Sequence, residues 1–274
     1  MLKIILILLA IVTLVNIITY TRFRLRMNGR AYLEVRKPAK EGEKMTYCLP
    51  GMKSDPENAF KFIENTAFTE KNLIDGGITY VYYEDSGFYP KAIARQIVAD
   101  VKKHHYTPYI ISVSVGDQIA RHVEAELENL SIIAINPATN RDCLSLDYRI
   151  KLRFKLFFEN IILFFAGWIG QLRLIKLSGN KRQSLALYND MKNYLAKSKL
   201  AIGNTATKVV VFSYYDNILD NISVYNQFSR VTNIEGILID TEHANLSIGG
   251  ILYRDKLSKI IENIYKTPSK NLDA

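Results

Sequence analysis

The sequence predicts an α/β fold with a mostly parallel central sheet, and three observations support that class. Short runs of apolar and β-branched residues alternate with segments of helical character. The 274 residues are 48% hydrophobic, which is enough for a substantial core. One apolar run, residues 109–113, ends at Ser114, and a helical segment begins at Gly116. A buried strand followed by a serine between small residues is typical of a tight strand–turn–helix elbow.

The predicted elements follow one another regularly through most of the chain. Strands are predicted at residues 31–37, 44–49, 78–83, 109–113, 131–135, 208–212 and 236–239. Helices are predicted to begin at Asp55 and to cover residues 90–105, 116–130, 222–228 and 248–265. The first two strands are joined by a short polar connection, so we expect them to form a hairpin. The alternation fails over residues 141–200.

This interruption divides the chain into parts. We predict an N-terminal membrane anchor over residues 1–27, an α/β core over 30–140 and 201–268, and a helical cap inserted at 141–200. Basic and apolar residues alternate in the first part of the cap, and an almost purely apolar run follows. Two interpretations stay open: a buried helix that covers the site, or a helix whose apolar face lines an acyl pocket or enters the membrane interface.

The anchor is predicted from a run of 17 residues without charge, from Ile4 to Tyr20. As a helix this run rises about 25 Å, the short end of what crosses a bilayer. A cleaved signal peptide is the alternative, but residues 19–21 are a poor cleavage site. Lys3 precedes the run and four arginines follow it, so the positive-inside bias predicts a single-pass membrane protein with a cytoplasmic domain.

The formal net charge of +9 is spread unevenly. Residues 1–30 carry +5 and residues 149–182 carry +7, both beside strongly apolar sequence. This arrangement favours an anionic membrane surface over nucleic acid as the partner, and no nucleic-acid-binding motif is present. The two cysteines, Cys48 and Cys143, fit no metal or redox spacing, so we expect neither a metal nor a cofactor.

Three polar side chains fall at the carboxyl ends of three predicted strands: Ser114, Asp216 and His243. Ligand sites of open α/β sheets form outside those ends. A serine hydroxyl is a weak nucleophile until a base takes its proton, and an imidazole with a pKa near 6.5 suits that task. A carboxylate behind the imidazole fixes its tautomer and stabilises the imidazolium. The pattern predicts a catalytic triad.

The sequence resembles the α/β-hydrolase family over roughly residues 30–265. The resemblance is carried by residues 48–52, 112–116 and 135–138, by Asp216 and by His243. It implies an esterase- or lipase-like serine hydrolase with a helical cap, in which Ser114, Asp216 and His243 form the triad. It also implies an oxyanion hole made by the backbone N–H groups of Met52 and Val115.

The sequence departs from the family pattern at two positions. Ser112 stands where glycine is usual in G-x-S-x-G, and Pro50 stands where His-Gly is common before the oxyanion loop. Proline has no backbone N–H, so the donor must come from later in that loop.

Each triad residue also has an ordinary structural interpretation. Ser114 fits a turn serine, Asp216 a helix cap and His243 a surface histidine, while Asp220 and, less strongly, Asp240 compete for the role of the acid. The sequence favours a membrane-anchored serine hydrolase that cleaves a carboxylic ester, with a small-molecule or lipid-like substrate. A peptidase, a thioesterase or a non-catalytic membrane-tethered binding protein are the alternatives, and the oligomeric state is open.

Overall fold

A computed structural model of the chain describes residues 2–26, 29–52, 56–60, 76–83, 87–166, 185–200, 206–228, 230 and 235–242. The strands are β1 (Ala31–Lys37), β2 (Lys44–Leu49), β3 (Gly77–Tyr83), β4 (Thr107–Val113), β5 (Ser131–Ile135), β6 (Thr207–Tyr215) and β7 (Glu235–Glu242). The helices are α1 (Leu2–Arg26), α2 (Pro56–Ala59), α3 (Pro90–His104), α4 (Asp117–Glu124), α5 (Leu146–Ala166), α6 (Leu185–Lys197) and α7 (Asn221–Phe228).

The described strands form one sheet of seven, in the order β1-β3-β2-β4-β5-β6-β7. β1 is antiparallel to β3, and every other neighbouring pair is parallel. The central strands read as continuous apolar runs because helices on a parallel sheet bury both of its faces. All seven residues of β3 are buried, and six of seven in β4. The predicted α/β class and mostly parallel sheet are confirmed.

The predicted hairpin of β1 and β2 is wrong. Both strands have the predicted bounds, but β3 lies between them in the sheet. β1 pairs antiparallel with β3, from Ala31 opposite Tyr83 onward. β2 pairs in parallel with β3 on one side and β4 on the other. A short polar connection brings β1 and β2 close in the chain, but β1 pairs with β3 between residues that are 41 to 52 positions apart.

Helix α3 shows how the sequence covers the sheet. Pro90 occupies its first turn, where the missing N–H has no helical partner in any case. Its apolar positions recur at helical spacing and are buried against the core; they are Ile93, Ala94, Ile97, Val98 and Val101. His105 ends the helix in the left-handed conformation, with φ 54°.

The predicted membrane anchor over residues 1–27, and with it the single-pass membrane localisation, is wrong. Among the residues that the structure describes, no helix combines the length and the apolar character that crossing a bilayer requires. The uncharged run of α1 rises only about 25 Å, against about 30 Å of hydrocarbon core. The cytoplasmic placement of the domain, which depended on that anchor, loses its basis.

The segment predicted to form the cap, residues 141–200, contains two described α-helices, α5 and α6. The buried-helix interpretation fits only part of α5: Leu152 and Leu156 are buried, whereas one row of large apolar side chains is exposed. We name this row the α5 stripe; it consists of Leu146, Ile150, Phe154, Phe157, Phe158 and Ile161. The predicted final helix, residues 248–265, lies outside the described residues, as does the cap sequence between α5 and α6.

Candidate active site

Ser114 follows the last residue of β4 and begins a single 3-10 turn, Ser114–Gly116, from which α4 continues at Asp117. Its backbone is left-handed, with φ 51°, and its side chain is buried. A residue other than glycine rarely adopts this conformation, and such strain concentrates at functional sites. The strand–turn–helix elbow predicted from the sequence is therefore present, with the serine at its strained corner.

Two glycines let other parts of the backbone approach this elbow. A Cβ on Gly116 would lie 2.5 Å from the carbonyl oxygen of Leu49 and 2.8 Å from that of Pro50, so no larger residue fits. A Cβ on Gly51 would lie 3.1 Å from the Cβ of Ser114. The loop after β2 thus packs directly against the candidate nucleophile.

Asp216 directly follows β6 and is half-buried. Its Oδ1 accepts hydrogen bonds from the backbone N–H groups of Ile218 (2.9 Å) and Leu219 (2.8 Å). Its Oδ2 accepts a hydrogen bond of 2.8 Å from the side-chain amide of Asn136, at the end of β5. Asp216 therefore does cap the backbone that follows it, but only through Oδ1. Its Oδ2 faces Asn136 at the end of the neighbouring strand β5.

Asp220, the main competitor for the role of acid, caps helix α7. Its Oδ1 accepts from the backbone N–H groups of Ile222 (3.1 Å) and Ser223 (3.2 Å), and its Oδ2 accepts from the Ser223 hydroxyl (2.9 Å). Burial alone would raise the pKa of Asp220, but these hydrogen bonds outweigh it and lower the pKa. Both oxygens serve the helix N-terminus, which favours Asp216 as the acid.

Ser114 and Asp216 lie at the same end of the sheet, after β4 and β6, and the segment after β5 lies between them. Val113 of β4 is paired with Ile135 of β5, so Ser114 and Asn136 follow at the same level. The backbone N–H of Ala138 donates to the Ser114 carbonyl oxygen at 3.0 Å, while the Asn136 amide contacts Asp216. His243 follows Glu242, the last residue of β7, but lies outside the described residues.

A buried polar network lies behind the elbow. We name it the Asp117 network; it consists of Ser112, Asp117, Arg121, Glu124, Thr139 and Thr207. The Arg121 guanidinium donates to both Asp117 oxygens, at 2.8 and 3.2 Å, and to Glu124 at 2.8 Å. The Ser112 hydroxyl (3.1 Å) and the Thr139 hydroxyl also donate to Asp117. The network ties β4, β6 and the β5 loop to α4, because Arg121 also donates to Thr207 at 2.8 Å.

This network explains the unusual serine at position 112. Ser112 is fully buried, and its hydroxyl supplies a hydrogen bond to a carboxylate that has no access to water. Burial alone would lower the pKa of Arg121, but the adjacent carboxylates of Asp117 and Glu124 raise it. The sequence signal for this ion pair is an acid and an arginine four residues apart on a helix.

Comparison with solved structures identifies the fold. An esterase from Exiguobacterium antarcticum matches with a TM-score of 0.62 and 13% identity, over 85% of this chain and 95% of that one. An α/β hydrolase from a Medee basin deep-sea metagenome matches with 0.62 and 11%, over 89% and 97%. A monoacylglycerol lipase from Paleococcus ferrophilus matches with 0.54 and 10%, over 85% and 99%. The chain has the α/β-hydrolase fold.

The resemblance inferred from the sequence is thereby confirmed at the level of the fold. No protein-family model matches the sequence, and no curated protein matches it. At 9–13% identity, the eight structures compared share the architecture of this chain and leave its activity to be argued from the site.

In this α/β-hydrolase fold the expected oxyanion loop is braced from β3. The Tyr83 hydroxyl donates to the Pro50 carbonyl oxygen at 3.2 Å, and burial raises the pKa of Tyr83 well above its usual value, so it remains a donor. Met52 is half-buried and Val115 fully buried. The participation of their N–H groups in an oxyanion hole remains a prediction from the resemblance.

A cavity of about 570 Å³ opens between helix α6 and the segment that leads into α3. Its lining residues are Phe88, Tyr89, Asp190, Asn193, Tyr194, Lys197, Ser198 and Lys199. Neither Ser114 nor Asp216 lines it. Beside it, His122 is half-buried, with Nε2 3.0 Å from the Tyr194 hydroxyl, and burial lowers its pKa.

Proposed function

We propose that this chain is a serine hydrolase that cleaves a carboxylic ester, with Ser114 as nucleophile, His243 as base and Asp216 as the acid that orients the imidazole. The observation that carries the proposal is the left-handed backbone of Ser114 at a strand–turn–helix elbow. A non-glycine residue in such a conformation costs on the order of 1–3 kcal/mol, and strained residues of this kind cluster at active sites.

The reaction follows from the chemistry of these groups. His243 takes the Ser114 proton as Oγ attacks the ester carbonyl carbon, and the negative oxygen that forms is stabilised by the N–H groups of Met52 and Val115. The C–O bond to the leaving group then breaks, and the imidazolium protonates the departing alcohol. Water attacks the acyl-Ser114 ester with His243 again as base, which releases the carboxylic acid and regenerates the Ser114 hydroxyl.

We propose further that the substrate is a lipid-like ester with a long apolar chain. The α5 stripe supports this class, because six large apolar side chains on the cap are between 40% and 69% exposed. Exposed apolar patches of this kind mark binding surfaces. One structural neighbour is a monoacylglycerol lipase, which is consistent with the proposal.

Hydrolysis of p-nitrophenyl esters of increasing chain length tests both parts. We expect turnover by the wild type, loss of turnover in Ser114→Ala, and kcat/KM that rises from acetate towards decanoate. Turnover with a preference for acetate would contradict the lipid-like substrate and leave the hydrolase standing. A folded wild type that turns over none of the esters would contradict the hydrolase and favour a non-catalytic binding protein.

Substitutions on α5 provide the matched control for chain length. Phe157→Ser together with Phe158→Ser is expected to lower kcat/KM for decanoate and to leave acetate unchanged, because only the long chain reaches the stripe. Lys151→Ser and Arg153→Ser, on the same helix and likewise exposed, should change neither. An equal loss for both esters in the Phe variant would contradict a role of the stripe in substrate binding.

A further inference from the structure

Asn136 occupies the position between the two described members of the proposed triad. It is the first residue after β5, it is fully buried, and its backbone is left-handed with φ 46°. Its backbone N–H donates to the Val211 carbonyl oxygen at 2.8 Å, which attaches it to β6. Two residues later, the Ala138 N–H donates to the Ser114 carbonyl oxygen. The segment therefore contacts the strand that leads to the acid and the turn that carries the nucleophile.

The side chain of Asn136 is oriented by a second hydrogen bond. The Ser213 hydroxyl donates to Asn136 Oδ1 at 3.1 Å, so Nδ2 faces Asp216 Oδ2 at 2.8 Å. Ser213 is itself fully buried, and its carbonyl oxygen accepts from the Asn221 amide at 2.8 Å. An amide with its oxygen already paired can present only its N–H₂ to the carboxylate, which fixes both partners.

The residue type suits this place in two respects. Asparagine is one of the few non-glycine residues that tolerate the left-handed region. It is also a neutral donor, so it hydrogen-bonds a carboxylate without neutralising its charge. A lysine or arginine here would neutralise that charge, and an aspartate would place two like charges within hydrogen-bond distance.

We propose that Asn136 is a positioning residue that fixes the Asp216 carboxylate for the imidazole of the triad. The inference rests on the proposed function, since Asp216 orients a base only if the chain is a hydrolase. Asn136 acts through Asp216 and touches no reacting atom. Its contribution therefore exists only while the carboxylate is present.

A double-mutant cycle separates this role from that of an ordinary turn residue. Asn136→Gly keeps the left-handed backbone accessible and removes the side chain that carries the amide. In the wild-type background we expect kcat for a p-nitrophenyl ester to fall about 10- to 100-fold with KM unchanged, the scale of one hydrogen bond to a charged group. In an Asp216→Asn background, the same substitution should change kcat less than about twofold.

A second route uses Ser213→Ala, which keeps Asn136 but removes the hydroxyl that orients its amide. We expect a smaller loss of kcat, which should also vanish in the Asp216→Asn background. His105→Gly is the matched control, because His105 has nearly the same left-handed φ at the end of α3. It should leave kcat unchanged in both backgrounds.

The results distinguish a failure of the positioning role of Asn136 from a failure of the proposed hydrolase function. If Asp216→Asn retains full kcat, the assignment of Asp216 in the proposed function fails. Suppose instead that Asp216→Asn greatly lowers kcat. If Asn136→Gly then keeps wild-type kcat, or lowers kcat by the same factor in both backgrounds, Asn136 has no positioning role and the hydrolase assignment stands.

Discussion

Asp117 and Asp216 are both carboxylates at the carboxyl edge of the sheet, yet their surroundings differ in kind. Asp117 is fully buried and bonded to the guanidinium of Arg121 and to two hydroxyl groups. Asp216 is half-buried, and the donors described around it are a side-chain amide and two backbone N–H groups, all neutral. The charge of Asp117 is compensated by Arg121, whereas the three donors described around Asp216 hold its carboxylate in place without adding a charge.

In the proposed mechanism, one fold uses the same chemical group at one position for structure and at another for catalysis. A buried carboxylate is costly to desolvate, and the pairing of Asp117 with Arg121 compensates its charge. A carboxylate that stabilises an imidazolium must keep its charge and a fixed direction. Neutral donors achieve this. Substitutions at the two positions should therefore damage different properties of the protein.

The largest effect is expected for Asp216→Asn. The amide cannot stabilise an imidazolium and favours the wrong tautomer, so kcat should fall about 10⁴-fold. The midpoint of urea unfolding should fall less than in Asp117→Asn, because Asn retains an oxygen for the two backbone hydrogen bonds and loses only the contact with the Asn136 amide. Ester kinetics and denaturation on the same preparation check both statements. Loss of folding with normal activity in the folded fraction would reverse the assignment of the two carboxylates.

Asp117→Asn should show the opposite behaviour. Removing one partner of a buried ion pair leaves the other uncompensated, which costs about 3 kcal/mol of unfolding free energy. This cost is at the lower end of the range usual for a broken buried ion pair, because Arg121 keeps its contact with Glu124. The kcat per folded molecule should stay within a fewfold of wild type, as measured by active-site titration.

The triple variant Asp117→Asn, Arg121→Met, Glu124→Gln serves as the control, because it removes all three charges of the network together and should recover part of the lost stability. A large loss of kcat in folded Asp117→Asn would mean that the Asp117 network takes part in catalysis.

A smaller effect is expected for Ser112→Gly, which restores the glycine of the family pattern. It removes one hydrogen-bond donor from the Asp117 network and adds a glycine to a strand, so the unfolding free energy should fall by about 1–2 kcal/mol. Ser112→Ala, which lacks the hydroxyl but not the Cβ, isolates the first contribution. Equal stability of all three proteins would show that the hydroxyl is dispensable.

The smallest effect concerns the unfolding free energy at alkaline pH. Burial raises the pKa of the Cys143 thiol to about 11, and the negative charge of Asp117 adds to the rise. The unfolded chain ionises this thiol near pH 8.5, so the folded state binds more protons above that pH and loses stability as the pH rises. The loss should be less than about 1 kcal/mol at pH 9.

Urea unfolding at pH 7.5 and pH 9 measures this loss, and Cys143→Ala should remove the corresponding part of the pH dependence. A wild type and a Cys143→Ala variant that lose the same stability between these pH values would contradict the raised pKa.

Much of the fold could be predicted because its signals are local. β1, β2 and β5 have the predicted bounds, since polar or turn-forming residues end each apolar run. β6 runs to Tyr215 rather than ending at residue 212, because Ser213 lies in the sheet although it reads as a turn residue. The hairpin was mispredicted because strand order depends on contacts distant in the chain.

The candidate site was predictable in its residue types and less so in its contacts. Ser114 and Asp216 could be selected because each follows a predicted strand. Sequence spacing could not decide whether Asp216 or Asp220 is the acid. The decision rests on hydrogen bonds seen only in the structure, in which both Asp220 oxygens cap the start of α7. Asn136 belonged to a segment that carried the family resemblance, but its contact with Asp216 spans eighty residues and has no local signature.

A fluorophosphonate probe forms a covalent bond with an activated serine hydroxyl, and peptide mass spectrometry locates the adduct. We expect a single adduct on Ser114 in the wild type, slower formation in Asp216→Asn, and a wild-type rate in folded Asp117→Asn. A well-folded wild type that forms no adduct, or forms it on another serine, would contradict the claim that Ser114 is the nucleophile.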